Sequence, residues 1–189
     1  MILAKPEIVR YLTEGRLVVT PEIPHDQIDQ VSIDLRLGTQ FAVFRELPDH
    51  FPCIRATRSI FEADDLWHRY DQESFTLKPG HLVLARTLET VNIPGDLVGL
   101  VEGRSSWARL GISIHITAPK IDPGFRGPIA LEMANLGNAS VELRAHEDKP
   151  AQLMLAHVSG TLADGELYGA GAGDLFQDQA GPLPGVREG

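Results

Sequence analysis

Hydrophobic and polar residues alternate along most of this chain, in short runs that turn signals separate. A period of two places successive side chains on opposite faces, which is typical of half-buried β-strands. Short strands joined by Pro-Gly turns predict a mainly β fold, either a sandwich or a barrel. The pattern predicts strands at residues 31–37, 41–44, 74–77, 81–86, 91–93 and 97–102, with Pro-Gly turns at 79–80 and 94–95.

Three segments depart from the strand pattern. Residues 5–14 repeat apolar side chains at helical spacing and therefore predict one short helix. Residues 48–73 are polar and irregular, and we expect them to form a long excursion over the surface, whose length suggests a role such as a partner contact. Residues 168–189 are rich in Gly, Ala, Asp and Gln, and we expect them to be mobile.

Two further strands are predicted at residues 112–117 and 128–135. The first carries three isoleucines on one side, and the second alternates large apolar residues with small ones. The small-residue side of the second strand holds one acid, Glu132. An acid among small neighbours suits a pocket, where burial would raise its pKa and fit it for proton transfer. The alternative is an exposed acid on a solvated strand face.

Composition and charge narrow the class of protein. The 189 residues, of which 43% are hydrophobic, suggest one domain with an ordinary core. A net charge of −9 disfavours a broad nucleic-acid face but leaves room for an anionic small ligand. The single cysteine, Cys53, excludes an internal disulfide and a multi-cysteine metal site. We expect no signal peptide, no membrane span and a cytoplasmic protein.

The turn at 103–111 concentrates two arginines and two serines, Arg104, Ser105, Ser106 and Arg109. Guanidinium groups, hydroxyls and free backbone N–H groups together favour a phosphate-binding turn. The alternative is an ordinary polar turn with a surface ion pair to Glu102.

Three further polar or aromatic residues allow both a functional and an ordinary interpretation. Asp122 stands before Pro123 and either initiates a turn or accepts a sugar hydroxyl, in which case Phe125 would stack on the sugar or base. His115 is either a polar-face residue or part of the site. The histidines show no metal-ligand spacing, so we expect no zinc site.

Three motifs in this order resemble the dCTP deaminases of the dUTPase-like superfamily. They are GRSSWARLG at 103–111, HITAPKIDPGFRG at 115–127 and LEMAN at 131–135, and weaker similarity extends over nearly the whole chain. The resemblance implies a mainly β fold, a distorted β-barrel or β-clip with a short N-terminal helix. It implies a deaminase domain at 1–167 and a flexible closing segment at 168–189.

The resemblance also implies a reaction and a set of site residues. Glu132 would be the general base of a zinc-independent deamination of dCTP to dUTP, helped by Ser105 and Arg109. It implies Mg²⁺ bound through the triphosphate, a homotrimer with sites between subunits, and dTTP as an inhibitor. The substrate contacts that it implies are Arg104, Ser105, Ser106, Arg109, Ala118, Asp122, Phe125, Ala130, Leu131, Gln152, Tyr168 and Gln179.

The chain differs from the family pattern in three places. Pro119-Lys120 replaces the His-Arg that is typical of strictly deaminating members, and residues 145–150 replace a shorter turn. In the closing segment Leu175 stands where the family has a lysine. Four functions therefore stay open: a deaminase, a bifunctional deaminase and dUTPase, a plain dUTPase, and a nucleotide-binding trimer without catalysis.

Overall fold

The alternating runs fold into antiparallel strands that form three sheets. The computed structural model describes residues 1–47, 54, 60–61, 63–171, 174 and 176–183. The helices are α1 (Lys5–Thr13) and α2 (Ser105–Ala108), with 3₁₀ turns at His25–Gln27, Asp64–Leu66 and Asp164–Glu166. The strands are β1 (Val18–Thr20), β2 (Ser32–Leu35), β3 (Leu37–Phe44), β4 (Trp67–Asp71), β5 (Ser74–Leu77), β6 (Leu82–Asn92), β7 (Leu97–Gly103), β8 (Ile112–Ser113), β9 (Lys120–Ile121), β10 (Arg126–Asn135), β11 (Val141–Arg144) and β12 (Ala151–His157).

The largest sheet has the order β4-β3-β6-β10-β8, with β1 beside the far end of β6. A four-stranded sheet has the order β2-β12-β7-β9, and β5 pairs with β11. Every strand pair in the described chain is antiparallel. The prediction of a mainly β fold with a short N-terminal helix is confirmed.

Strand β10 shows how the alternating pattern builds the core. Its large residues Ile129, Leu131 and Met133 are at most 2% exposed and belong to the main core cluster. The opposite face of β10 carries Ala130 and Glu132, which are only partly buried. The strand therefore separates the core from the outer face of the large sheet, as its period of two predicts.

The N-terminal helix lies where the sequence predicts it. Ile8 and Tyr11 are buried on one face, and the Tyr11 hydroxyl donates to Asp96 Oδ2 at 2.6 Å. The helix ends before Gly15, which has a φ of 68° that favours glycine. These contacts fix α1 against the loop that precedes β7.

The predicted strand at 31–37 is wrong in one respect, because the chain changes sheets at Arg36. Residues before Arg36 form β2 and those after it form β3, in different sheets. At the change, the backbone N–H and Nε of Arg36 donate to the fully buried Glu89 carboxylate at 2.8 and 2.7 Å. Glu89 thus replaces the strand partner that Arg36 lacks at this position.

Glu89 lies in a bend of β6, which is one strand rather than the two predicted at 81–86 and 91–93. Pairing with β10 is irregular between Pro128 and Ala130. There the Thr87 hydroxyl donates to the Glu89 carbonyl at 2.7 Å and accepts from the Ile129 N–H at 2.9 Å. One side chain therefore satisfies the backbone groups that the irregular pairing leaves free.

Two other predictions need correction. Residues 67–71 form β4 at the sheet edge, with Trp67 buried and 68–71 exposed, so this part of 48–73 lies on the surface but is a regular strand. Residues 48–53, with Cys53, and 55–59 and 62 lie outside the described residues. The 112–117 strand is limited to Ile112–Ser113, because the Ser113 hydroxyl donates to the His115 carbonyl at 2.7 Å and turns the chain.

We expect the Glu89→Gln variant to lose about 3 kcal/mol of unfolding free energy, because removing one partner leaves a largely buried guanidinium unpaired. Urea denaturation at pH 7 measures this. The Glu7→Gln variant is the control, because Glu7 and Arg10 form an ion pair on the helix surface. Equal losses in the two variants would show that Glu89 does not hold the sheet change.

Candidate active site

A cavity of about 610 Å³ lies against the outer face of the large sheet. Its base is formed by β6 and β10, one wall by residues 118–125, and its cover by residues from the C-terminal segment. The lining residues are Phe61, Leu84, Ala118, Lys120, Ile121, Asp122, Phe125, Ile129, Ala130, Glu132, Tyr168, Phe176, Gln179 and Pro182. The structure thus brings together seven of the predicted site residues: Ala118, Asp122, Phe125, Ala130, Glu132, Tyr168 and Gln179.

Glu132 is the acid in the base of this cavity. Burial raises the pKa of its carboxyl, while a hydrogen bond from the Ile116 backbone and the nearby His115 act in the opposite direction. A carboxyl with a raised pKa holds and releases a proton closer to neutral pH than an exposed one. The interpretation of Glu132 as an exposed strand acid is therefore not supported by the structure.

Asp122 lies in a turn, as one interpretation predicts, and it also lines the cavity, while its contact with a sugar hydroxyl stays a prediction. Its carbonyl accepts from the Phe125 N–H at 3.1 Å, and its carboxylate is 2.7 Å from Lys120 Nζ. Gly124 in the same turn has a φ of 89°, and a Cβ there would lie 2.7 Å from Leu167 Cβ. The turn needs glycine for its backbone and for close packing against the C-terminal segment.

The described residues of the C-terminal segment pack across the cavity, and the mobility expected for 168–189 stays a prediction. The Phe176 N–H donates to the Tyr168 hydroxyl at 3.1 Å, and Gln177 Nε2 donates to the Gly124 carbonyl at 3.0 Å. Farther along, Leu183 is 2% exposed and packs with Ala42 and Trp67. Residues 172–173, Leu175 and 184–189 lie outside the described residues.

Aromatic rings and a carboxamide complete the cover. The Phe125 and Tyr168 ring centroids are 5.8 Å apart with an interplanar angle of 51°. Gln179 is 7% exposed, and its Nε2 donates to the Pro128 carbonyl at 3.4 Å. The cavity thus combines aromatic faces with amide and carboxylate groups, which suits a planar polar ligand.

The other predicted site residues do not line this cavity. Residues 104–109, predicted as a tight turn, form the one-turn helix α2 and its flanks, where Ser105, Ser106 and Arg109 are exposed. Arg104 Nη1 is 3.3 Å from Asp34 Oδ2, so its ion pair is not with Glu102. Gln152 is another predicted site residue outside the cavity lining, and its Nε2 donates to the Gly103 carbonyl at 3.5 Å.

Leu131 and His115 also lie outside the cavity lining. The Leu131 side chain is buried in the core, so only its backbone could face a ligand. His115 Nε2 is 3.3 Å from Glu102 Oε2, whereas its Nδ1 is buried with no hydrogen-bond partner among the described residues. One ring nitrogen of His115 thus has a hydrogen-bond partner and the other has none among the described residues. The charge of His115 acts to lower the pKa of Glu132.

Seven lining residues are not among the predicted site residues: Phe61, Leu84, Lys120, Ile121, Ile129, Phe176 and Pro182. Leu84 could have been inferred from the sequence, because it lies directly opposite Glu132 on β6 and alternation places both on one face. Ile129 was assigned to the core alone. Phe61 and Pro182 reach the cavity through long-range packing, for which the local sequence carries no signal.

The described residues include no group of three or more His, Cys, Asp or Glu side chains arranged to hold a metal ion. None of the helices in the same part of the chain has the length and hydrophobicity that a membrane span requires.

Comparison with known proteins identifies close relatives. Residues 2–158 match a family model described as dCTP deaminase-like. The chain is 40% identical over 195 residues to a dCTP deaminase of Natronomonas pharaonis, covering 100% of this chain and 97% of that protein. It is 42% identical over 150 residues to a dCTP deaminase of Pectobacterium atrosepticum, covering 76% of this chain and 78% of that protein.

A solved structure supports the same grouping at the level of fold. The 2′-deoxycytidine 5′-triphosphate deaminase from Agrobacterium tumefaciens matches with a TM-score of 0.64 at 23% identity. The match covers 87% of this chain and 50% of that chain, so this chain corresponds to half of the longer protein.

The raised pKa of Glu132 predicts a pH-dependent cost to stability. Between the unfolded and the folded pKa the folded chain binds more protons, so its stability falls as pH rises through this window. We expect the Glu132→Gln variant to gain unfolding free energy relative to the parent chain from about pH 4 upward, since glutamine does not ionise. Urea denaturation across pH 4–8 measures the difference.

The Glu142→Gln variant provides a control of opposite sign. A hydrogen bond from Ser74, with Arg144, lowers the pKa of Glu142, so its stabilising effect is lost as pH falls. Parallel curves for the two variants would contradict the burial of Glu132.

Proposed function

Since the chain belongs to the dCTP deaminase-like family, we propose that it is a hydrolase that converts dCTP and water to dUTP and ammonia. The observation that carries this proposal is the carboxyl of Glu132, whose pKa is raised by burial at the base of a cavity of nucleoside size. The chain also matches a relative named dCTP deaminase over nearly the whole length of both proteins, which supports dCTP as the substrate.

The reaction follows from the position of Glu132. The Glu132 carboxylate takes a proton from the attacking water as the water oxygen bonds to C4 of cytosine, and passes that proton to N3. It then takes the second proton of that oxygen and delivers it to the amino nitrogen as the C4–N4 bond breaks. Ammonia leaves and the C4 carbonyl of uracil remains. Acid–base help of this kind contributes about 10²–10⁴-fold to the rate.

The cavity residues would hold the nucleoside around this carboxyl. The Ala118 carbonyl would help to orient the water, and the backbone of Ala130 and Leu131 would read the cytosine edge. Asp122 would accept the 3′-hydroxyl, with Lys120 holding its carboxylate at 2.7 Å. The remaining contacts would come from the C-terminal cover and one aromatic side chain: Phe125, Tyr168 and Gln179.

The triphosphate would bind to the turn at 104–109, which does not line the cavity of its own chain. Ser105 and Arg109 are exposed there, and so are the apolar neighbours Leu110 and Leu136, at 57% and 78%. We therefore propose a homotrimer in which the turn of one copy faces the Glu132 cavity of the next. Exposed apolar residues beside exposed cations are typical of a surface that a second copy covers.

Magnesium fits this site only through the substrate. The part of the chain that the structure describes offers no preformed cluster of metal ligands, so Mg²⁺ would bind with the triphosphate oxygens. Its chemistry would be to neutralise phosphate charge beside Arg104 and Arg109. Zinc has no role in the proposed reaction.

Deamination alone is favoured over a bifunctional reaction, because Lys120 keeps a cation where strictly deaminating members of the family have arginine. This cation lies beside Asp122. We also propose that the protein is cytoplasmic and that dTTP inhibits it. The chain would be divided into a domain at 1–167 and a closing segment at 168–189. Phosphate binding by residues 104–109 rather than by the segment fits the loss of the family's lysine at Leu175.

We expect the protein with dCTP and Mg²⁺ to release ammonia and form dUTP, and Glu132→Gln to reduce the rate by at least 10²-fold. Ammonia assay and nucleotide chromatography measure both products. The Glu142→Gln variant, altered on a different sheet outside the cavity lining, should keep full activity. Pyrophosphate among the products would indicate the bifunctional enzyme, and binding of dCTP without turnover would indicate a nucleotide-binding trimer.

The shared site predicts complementation between two inactive variants. Refolding Glu132→Gln with Arg109→Ala in equal amounts should restore about a quarter of wild-type activity per site, since half of the subunits supply an intact Glu132 and half of their neighbours an intact Arg109. Size-exclusion chromatography confirms the assembly. If one chain supplies both residues, the mixture stays inactive and the trimer site is wrong.

A further inference from the structure

Phe61 lines the cavity, although it comes from the stretch 48–73, to which the proposed function assigns no role. Trp67 Nε1 donates to the Ile60 carbonyl at 2.9 Å and so fixes the backbone next to Phe61. Trp67 itself is 8% exposed, and its ring meets the Phe44 ring edge-on with the centroids 4.9 Å apart. The position of Phe61 is therefore set by contacts with β3 and β4.

A second apolar cluster joins this stretch to the C-terminal segment and is separate from the main core cluster. Its buried members are Ala42, Trp67 and Leu183. Phe61 and Leu84 pack against these residues, and Leu84 lies directly opposite Glu132 in the sheet. The second cluster therefore lies beside Glu132 and holds residues of the C-terminal segment against β3 and β4.

The Phe61 ring also contacts the C-terminal segment at the cavity itself. Its centroid is 6.2 Å from the centroid of the Phe176 ring, and the two rings meet edge to face at 78°. Aromatic rings attract one another in this arrangement and at this distance. Phe176 therefore has one partner from the stretch 48–73 and a second from its own segment, since its N–H donates to the Tyr168 hydroxyl at 3.1 Å. All three aromatic side chains line the cavity.

We propose that Phe61 is a positioning residue that holds the C-terminal segment over the cavity through the contact of its ring with Phe176. The stretch 48–73 thereby acquires a role within its own chain. The benefit to nucleotide binding rests on the proposed function, in which Tyr168 and Gln179 of the same segment contact the substrate. The holding of the segment does not, because it concerns contacts within one chain.

Hydrogen exchange tests the holding without substrate. In Phe61→Ala we expect the Phe176 amide to exchange about tenfold faster, because the aromatic pair that holds it is lost. Amides of β10 report global unfolding and serve as the reference within the same sample. Unchanged exchange of the Phe176 amide relative to β10 would overturn the proposal. Should Phe61→Ala fail to fold, Phe61→Leu, which also lacks the ring, is expected to show the same selective acceleration.

Two further variants show whether the pair itself is responsible. Phe61→Ala should add less than about twofold in a Phe176→Leu background, because the ring contact is already absent there. Independent, additive effects would contradict the pairing. The matched control is Phe75→Ala, which removes a ring stacked on Phe41 at 5.0 Å, outside the cavity lining. It should leave the exchange of the Phe176 amide relative to β10 unchanged, and an acceleration equal to that of Phe61→Ala would overturn the specific role of Phe61.

Kinetics test the benefit to nucleotide binding. With dCTP we expect Phe61→Ala to raise KM about tenfold and to leave kcat within about twofold, because a loosened segment weakens binding without altering the groups at C4. Phe61→Tyr keeps the ring and should restore both KM and the exchange of the Phe176 amide. A fall in kcat at unchanged KM would contradict a positioning role. If dCTP is not a substrate, the exchange results still decide whether Phe61 holds the segment.

Discussion

The buried carboxylate of Glu89 is the contact on which the arrangement of the two larger sheets depends. It binds the backbone and side chain of Arg36 where the chain passes from one sheet to the other. The same bend of β6 carries Thr87, whose hydroxyl bridges to the Ile129 N–H. The direction of β10, and so the position of Glu132, is therefore set by polar contacts in an otherwise apolar interior. Such contacts specify one arrangement because any other leaves a buried polar group unpaired.

Sequence reasoning succeeded where local pattern decides structure. The period of two in β10 placed Glu132 opposite the core, and the small neighbours correctly indicated room beside it. The helix at 5–14 followed from its own spacing in the same way. These features depend on residues a few positions apart, which one strand or one turn of helix brings together.

It failed where distant residues decide structure. The change of sheet at Arg36 depends on Glu89, which is far along the chain, and residues 112–117 turn away because Ser113 bonds to a backbone carbonyl. The partners of Gln177 and Leu183 in the cover of the cavity also lie far along the chain, and the composition of the segment gives no signal for them. For residues 104–109 the difficulty is of another kind, since their proposed partner belongs to a second copy of the chain.

The turn that carries Asp122 is joined to the start of the C-terminal segment by a backbone hydrogen bond and by side-chain packing. The Tyr168 N–H donates to the Pro123 carbonyl at 2.9 Å, and Leu167 packs closely on Gly124. A sugar bound by Asp122 and a base bound under Gln179 would therefore be held by two connected parts of the chain, the Asp122 turn and the C-terminal segment. Release of the product would require these two parts to move together. Product release, rather than the chemistry at C4, would then limit the turnover rate.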